Sequence, residues 1–209
     1  MTEHNLIGHS AGFTRVLNAA RMVAPTDATV LLGGETGAGK ATLAREIHAC
    51  STRRLRPFLA LACAALPGDL FDRGPDTEEG AALRAAAGGT LYLDEVADLG
   101  AGAQAALLRY LETGAVGPFG REPLSLRVIA ATATDLVARV DARAFRGDHF
   151  HRLNVVPLEV PALRDRIDDL PLLLKHYART FARERGQPVS SFRVPAINAL
   201  TMRVKGSEL

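Results

Sequence analysis

Apolar residues recur at helical spacing through residues 11–24, at Phe13, Val16, Leu17, Ala20 and Val23, and Pro25 ends the pattern before a short apolar run at 28–32. This predicts a helix, a turn and a buried strand. The same alternation continues with a helix at about 40–50, strands at 57–63 and 90–93, a helix at about 103–112, and strands at 126–131 and 155–160, the last closed by Pro161. Short apolar runs separated by amphipathic segments are the pattern of parallel strands buried on both faces. The expected fold is therefore α/β, a parallel sheet sandwiched by helices. Beyond Pro161 the pattern is helical only, with one amphipathic segment at about 170–185 and a shorter one near 196–202. A boundary near Pro161 divides an α/β domain at 1–161 from a helical appendage at 162–209.

Composition narrows the class. Of 209 residues, 47% are hydrophobic and 23% charged, which suits a globular protein with a substantial core. The formal net charge is only +2, with acids and bases interspersed, so there is no basic stripe to follow a phosphate backbone and direct DNA binding by this chain is not expected. Cys50 and Cys63 have neither CxxC spacing nor disulfide-framework density, and the first residues carry acids and a His where a signal peptide needs an apolar run. A reducing cytoplasm is the expected compartment. No apolar stretch approaches the roughly 20 residues of a membrane helix.

The chemistry begins directly after the strand at 28–32. Gly34, Glu35, Thr36, Gly37, Ala38, Gly39 and Lys40 fit the GxxxxGK pattern and open into a helix with Leu43 and Ile47 on one face. Glycines let backbone N–H groups turn inward around phosphate oxygens, a helix N-terminus adds partial positive charge, and Lys40 reaches the terminal phosphates. After Lys40 stands Ala41, where most phosphate loops place a Ser or Thr that ligates magnesium; Thr42, one residue later, is the candidate metal ligand from this loop. Downstream, Gly88 to Glu95 reads as an apolar strand ending in two carboxylates. In such a motif the first acid, here Asp94, holds Mg2+, and the second, Glu95, polarises the attacking water.

These motifs, with Leu6-Ile7-Gly8, Pro57-Phe58, Cys63-Ala64-Ala65-Leu66, Arg127-Val128-Ile129-Ala130-Ala131-Thr132, Ala144-Phe145-Arg146-Gly147-Asp148, His151-Arg152-Leu153-Asn154 and Leu163-Arg164-Asp165-Arg166, resemble in order the AAA+ domain of sigma-54-dependent transcription activators. The resemblance runs to about residue 171. It implies an AAA+ P-loop fold with a helical lid, ATP and Mg2+ as cofactors, an adenine site near Ile7 and Gly8, and a phosphate sensor at Thr132. It also implies a ring of like or related subunits, in which Arg146 and Arg152 reach the next subunit's phosphates. An arginine supplied in this way is worth about a thousandfold or more in rate.

The chain departs from the family at several points. Between Leu66 and Gly88 it is about ten residues shorter than the resemblance requires, so the GAFTGA loop that engages sigma-54 is missing, and the Gly, Pro and acidic composition predicts a short surface turn. Contact with sigma-54 polymerase is correspondingly in question. Ala62 and Ala133 stand where the family commonly has asparagines, which predicts weakened or badly gated hydrolysis. The chain ends at residues 201–209 where a turn and a second sensor helix are expected, so the lid reads as incomplete. The sequence reads as one without its own receiver domain or helix-turn-helix, the expectation being a standalone remnant, a truncated product or a partner for other subunits.

His149 and His151 flank Phe150, and their only near acidic neighbour is Asp148, so they read as surface or interface histidines rather than metal ligands. The segment at about 170–185 reads as a lid helix packed on the sheet domain. The expected function is ATP binding and, in a ring, hydrolysis coupled to regulation of transcription. One alternative keeps the fold as a nucleotide-binding or oligomerisation module independent of sigma-54. A second is a small-molecule P-loop kinase, against which Ala41 and the arginine region argue.

Overall fold

The computed structural model describes residues 6–73, 76–117 and 122–186. The strands are β1 (Val30–Gly33), β2 (Phe58–Ala62), β3 (Thr90–Asp94), β4 (Ala115–Val116), β5 (Glu122–Pro123), β6 (Arg127–Thr132) and β7 (Val156–Glu159). Among them run helices α1 (Ala11–Val23), α2 (Lys40–Ala49), α3 (Glu78–Ala85), α4 (Ala101–Thr113), α5 (Leu136–Asp141), α6 (Gly147–Leu153) and α7 (Leu170–Arg185). Five strands form one parallel sheet in the order β2-β3-β6-β1-β7, and β4 and β5 make a separate antiparallel pair.

Side chains alternate across the sheet, and both faces are apolar. Leu31, Leu91, Leu93, Val128 and Ala130 join one core with Ala103, Ala106, Leu107 and Tyr110 of α4. Val30, Leu32, Tyr92, Ile129 and Ala131 join the other with Ala20 and Val23 of α1 and Leu43, Ala44 and Ile47 of α2. Continuous apolar strands are what a doubly covered sheet demands, each large buried aliphatic contributing about 1.5–3 kcal/mol.

Two buried charged residues tie helix α1 into this frame. Arg127, 1% exposed at the start of β6, donates to the Ala24 carbonyl at 2.6 Å and to the Val23 carbonyl at 3.0 Å, placing its positive charge at the C-terminal end of α1. At the other end, the Asp169 carboxylate accepts the N–H groups of His9 at 2.6 Å and Ser10 at 2.9 Å and the Ser10 hydroxyl at 2.8 Å. A residue 159 positions away thus takes over the capping role at the helix N-terminus.

Residues 66–88 differ from the short surface turn expected there. They hold a 3-10 turn, Leu70–Asp72, and helix α3, with Leu70, Phe71, Leu83 and Ala86 buried in the α4-side core. Thr77 caps α3 by accepting the Gly80 N–H at 3.2 Å, and Glu78 and Glu79 follow in the first turn, where their charge favours the helix dipole. Arginines fasten the segment: Arg73 to Asp69 and Glu79, Arg84 to Glu122 at 2.6 Å, and Arg109 to Asp72.

Helix α7 also departs from expectation. Only Leu170 is buried, while Leu172, Tyr177 and Phe181 are exposed, so most of its length does not pack on the sheet domain. The helix expected at 196–202 and the chain end at 201–209 lie outside the described residues. Among the described residues no helix is long and apolar enough to cross a membrane.

Candidate functional site

The strand order sets the site. β1, β6 and β3 are neighbours and parallel, so the loop leaving β1, the Thr132 end of β6 and the Asp94 end of β3 meet at one rim of the sheet. The carboxyl rim of a parallel α/β sheet is where ligands bind.

In the loop leaving β1, Gly34, Gly37 and Gly39 have φ of 138°, 81° and 104°, a region closed to most side chains. At Gly34 a Cβ would also lie 2.6 Å from the Val160 carbonyl oxygen. The loop turns back through the Ala38 N–H, which donates to the Glu35 carbonyl at 3.1 Å, and α2 starts at Lys40. Lys40 is 6% exposed, and its ammonium donates to the carbonyls of Gly34 at 2.7 Å and Glu35 at 3.2 Å. The same Nζ lies 3.0 Å from Oε1 of Glu95. A buried ammonium among left-handed glycines at a helix N-terminus fits an anionic phosphate group.

Glu95 has φ 54° and ψ 62°, a left-handed conformation that costs a non-glycine residue about 1–2 kcal/mol. The turn sends its carboxylate back over the rim, where Oε2 accepts the Ala133 N–H at 2.7 Å. Strained backbone of this kind concentrates at functional sites. Asp94, one residue earlier, accepts the Tyr92 hydroxyl at 2.8 Å, and burial together with that carboxylate pushes the Tyr92 phenol well above its usual range. Burial, aided by the nearby Asp94, pushes the Cys63 thiol up to about 12, so it stays neutral beside the acids.

Thr132, 4% exposed, uses its hydroxyl within its own turn, accepting the Thr134 N–H at 3.0 Å and donating to the Thr134 carbonyl at 3.3 Å. The strand end therefore reaches the acidic pair through the backbone of Ala133. Ala41 is exposed and Thr42 half-buried in the first turn of α2. Mg2+ bound to nucleotide phosphates needs only one or two protein carboxylates and keeps several waters, so Asp94 without a neighbouring hydroxyl at Ala41 still fits it.

Gly8 packs so tightly that a Cβ would meet the Phe13 ring at 2.5 Å and the Asp169 carboxylate at 2.7 Å; Ile7 beside it is half-buried. Phe13 carries the Arg166 guanidinium 4.7 Å above its ring, and Arg166 donates to the Ala38 carbonyl at 2.9 Å. This relay links the Gly8 segment to the phosphate loop. Alongside lies a cleft of about 270 Å³ between Glu35, Thr36, Gly37 and Ala38 and residues Ala162, Leu163 and Arg164. Arg164 donates to Glu35 across it, and that hydrogen bond holds the Glu35 carboxyl below its ordinary value. A second cleft of about 430 Å³ opens on the other side of the loop, with Gly34, Thr132, Ala133, Phe150 and Asn154 among its walls.

Arg146 and Arg152 are not part of this cluster. Arg146 grips Asp148 at 2.7 Å, which holds that carboxyl down to about 2, and Arg152 lies 3.6 Å from Glu112; both arginines are more than half exposed. His149, between them on α6, is fully buried rather than on the surface. It is stacked on Phe145 at 4.9 Å, with no hydrogen-bond partner at either ring nitrogen. His151 is exposed, and no group of three or more potential metal-ligating His, Cys, Asp or Glu side chains occurs among the described residues.

The sequence alone assigns no role to Tyr92, Arg166 or Asp169. The signal for Tyr92 was the two-residue spacing that puts it on the same strand face as Asp94. No sequence signal pairs Asp169 with residues 9 and 10.

Fold and rim together define an AAA+ P-loop domain. A family model described as the sigma-54 interaction domain matches residues 6–159. The transcriptional regulatory protein ZraR of Salmonella typhimurium is 40% identical over 95% of this chain and 48% of its own length. NtrX from Brucella abortus in complex with ADP superposes with a TM-score of 0.86 at 33% identity, covering 95% of this chain and 47% of that one. NtrX in complex with ATP gives 0.85 at 32% identity, covering 96% and 50%. The chain belongs to the sigma-54 interaction domain family, and it spans about half the length of these relatives.

Proposed function

We propose that this chain binds ATP with Mg2+ at the rim of β1, β6 and β3 and hydrolyses it in a ring of subunits, as a regulator of transcription. The observation that carries the reading is Lys40, buried among the glycine-loop carbonyls with the Glu95 carboxylate 3.0 Å away. NtrX structures in complex with ADP and with ATP support nucleotide binding here. Lys40 and the loop N–H groups bind the phosphates, and Glu95 orients water and accepts its proton. Asp94 would hold Mg2+, which when bound supplies positive charge that neutralises the phosphates. Arg146 and Arg152, each more than half exposed and paired only with Asp148 and Glu112, are available to a neighbouring subunit.

The test is steady-state ATPase activity across protein concentration, with a nucleotide-binding titration, for the parent chain, Lys40→Ala, Glu95→Gln and Arg146→Ala. Specific activity that rises with concentration and is lost in all three variants supports the ring ATPase. Binding lost only in Lys40→Ala, with no turnover in any form, overturns hydrolysis and leaves a nucleotide-binding module.

A second reading, regulation without sigma-54, is favoured by residues 66–88. The stretch where the activators carry their contact loop here contains a capped helix fastened through Arg73–Glu79 and Arg84–Glu122, after a 3-10 turn held by Arg109. Promoter opening by sigma-54 polymerase in the presence of this chain and ATP would decide against that reading. No described residue favours the small-molecule kinase alternative.

A further inference from the structure

Asp94 receives one side-chain hydrogen bond among the described residues, from the Tyr92 hydroxyl at 2.8 Å. Its register partner on β2 is Ala62, which has no side-chain donor. The phenol itself has little freedom. Tyr92 is 2% exposed, and its ring stacks on Phe58 at 6.0 Å with an interplanar angle of 19°. A carboxylate on a flexible side chain has two equivalent oxygens and a soft terminal torsion; a fixed donor to one oxygen selects a single orientation and leaves the other oxygen available.

We infer that Tyr92 is a positioning residue for the metal: its hydroxyl commits Oδ1 of Asp94 and so orients the remaining oxygen for the water shell of nucleotide-bound Mg2+. Partners that orient a metal-binding carboxylate typically govern metal affinity by about tenfold or more when removed. The inference rests on the proposed nucleotide site.

Tyr92→Phe keeps the ring and its stacking and removes only the hydroxyl. A fluorescent ADP analogue is titrated with and without Mg2+, and Mn2+ binding to the protein–ADP complex is followed by electron paramagnetic resonance. The expected result is metal-free ADP affinity equal to the parent's, with Mn2+ affinity and the Mg2+-dependent gain in ADP affinity each reduced about tenfold. In an Asp94→Asn background Tyr92→Phe then has no further effect. An unchanged metal response with intact ADP binding overturns the inference alone, as does an equal loss of metal-free affinity, which marks a structural role. No ADP binding by the parent overturns the proposed site and the inference together.

Discussion

Nζ of Lys40 lies 3.0 Å from Oε1 of Glu95, and Oε2 of the same carboxylate accepts the Ala133 N–H at 2.7 Å. One glutamate thus joins the ends of β1, β3 and β6 and occupies the ammonium that the phosphate loop offers to an anion. In the proposed site, phosphate and Glu95 compete for Lys40. Neutralising the glutamate weakens the competitor and removes the base, so Glu95→Gln is expected to bind ATP about fivefold more tightly, the scale of a partly exposed ion pair. Turnover in the same variant falls by about a hundredfold or more. Nucleotide titration and single-turnover hydrolysis check both.

The arginines act between subunits in the proposed ring, so they should be separable from the base by mixing. Arg146→Ala and Glu95→Gln are each expected to be inactive alone, with losses of about a thousandfold for the arginine. A mixture regains activity, because some interfaces pair an intact Glu95 with an intact Arg146. Activity of the mixture no higher than the sum of its parts refutes action in trans.

Asp169 makes a stability prediction with a defined sign. Burial raises its carboxyl, but the hydrogen bonds from His9 and Ser10 outweigh that and hold it below 3.8. Stability from this cap is therefore present above the unfolded value and lost as pH falls through the lower folded one. Asp169→Ala removes the cap and leaves two N–H groups unpaired, at a cost of about 1–3 kcal/mol. Urea unfolding at neutral pH measures it.

His149 acts in the same sense at higher pH. Burial lowers its imidazole from 6.5 to about 4, so the unfolded chain takes up a proton between those values and the folded one does not. Stability falls as pH drops through that window, by about 3.5 kcal/mol at most, since each unit is worth about 1.4 kcal/mol. His149→Leu, which fits an apolar site and cannot titrate, is expected to raise the melting temperature at pH 5 more than at pH 7. Equal shifts at both pH values count against the buried, neutral imidazole.

The sequence alone determined the parallel α/β fold, because doubly buried strands read as continuous apolar runs and the glycine loop, acidic strand end and helices fall in one order. It also picked out Lys40, Asp94 and Glu95, whose residue types phosphate and metal chemistry requires at those spacings. The helix at Glu78–Ala85 was locally legible in Thr77, Glu78 and Glu79, yet the glycines, proline and acids around it obscured Leu70, Phe71 and Leu83 as core residues. Tertiary structure decided the rest. The strand order β2-β3-β6-β1-β7 makes Lys40, Glu95 and Ala133 neighbours, and no local periodicity encodes which strands adjoin. Asp169 capping α1, Arg127 closing its far end and His149 buried without a partner are contacts between segments distant in the chain. A polar side chain's role there depends on what the fold brings against it, and charge patterning along the sequence carries no record of that.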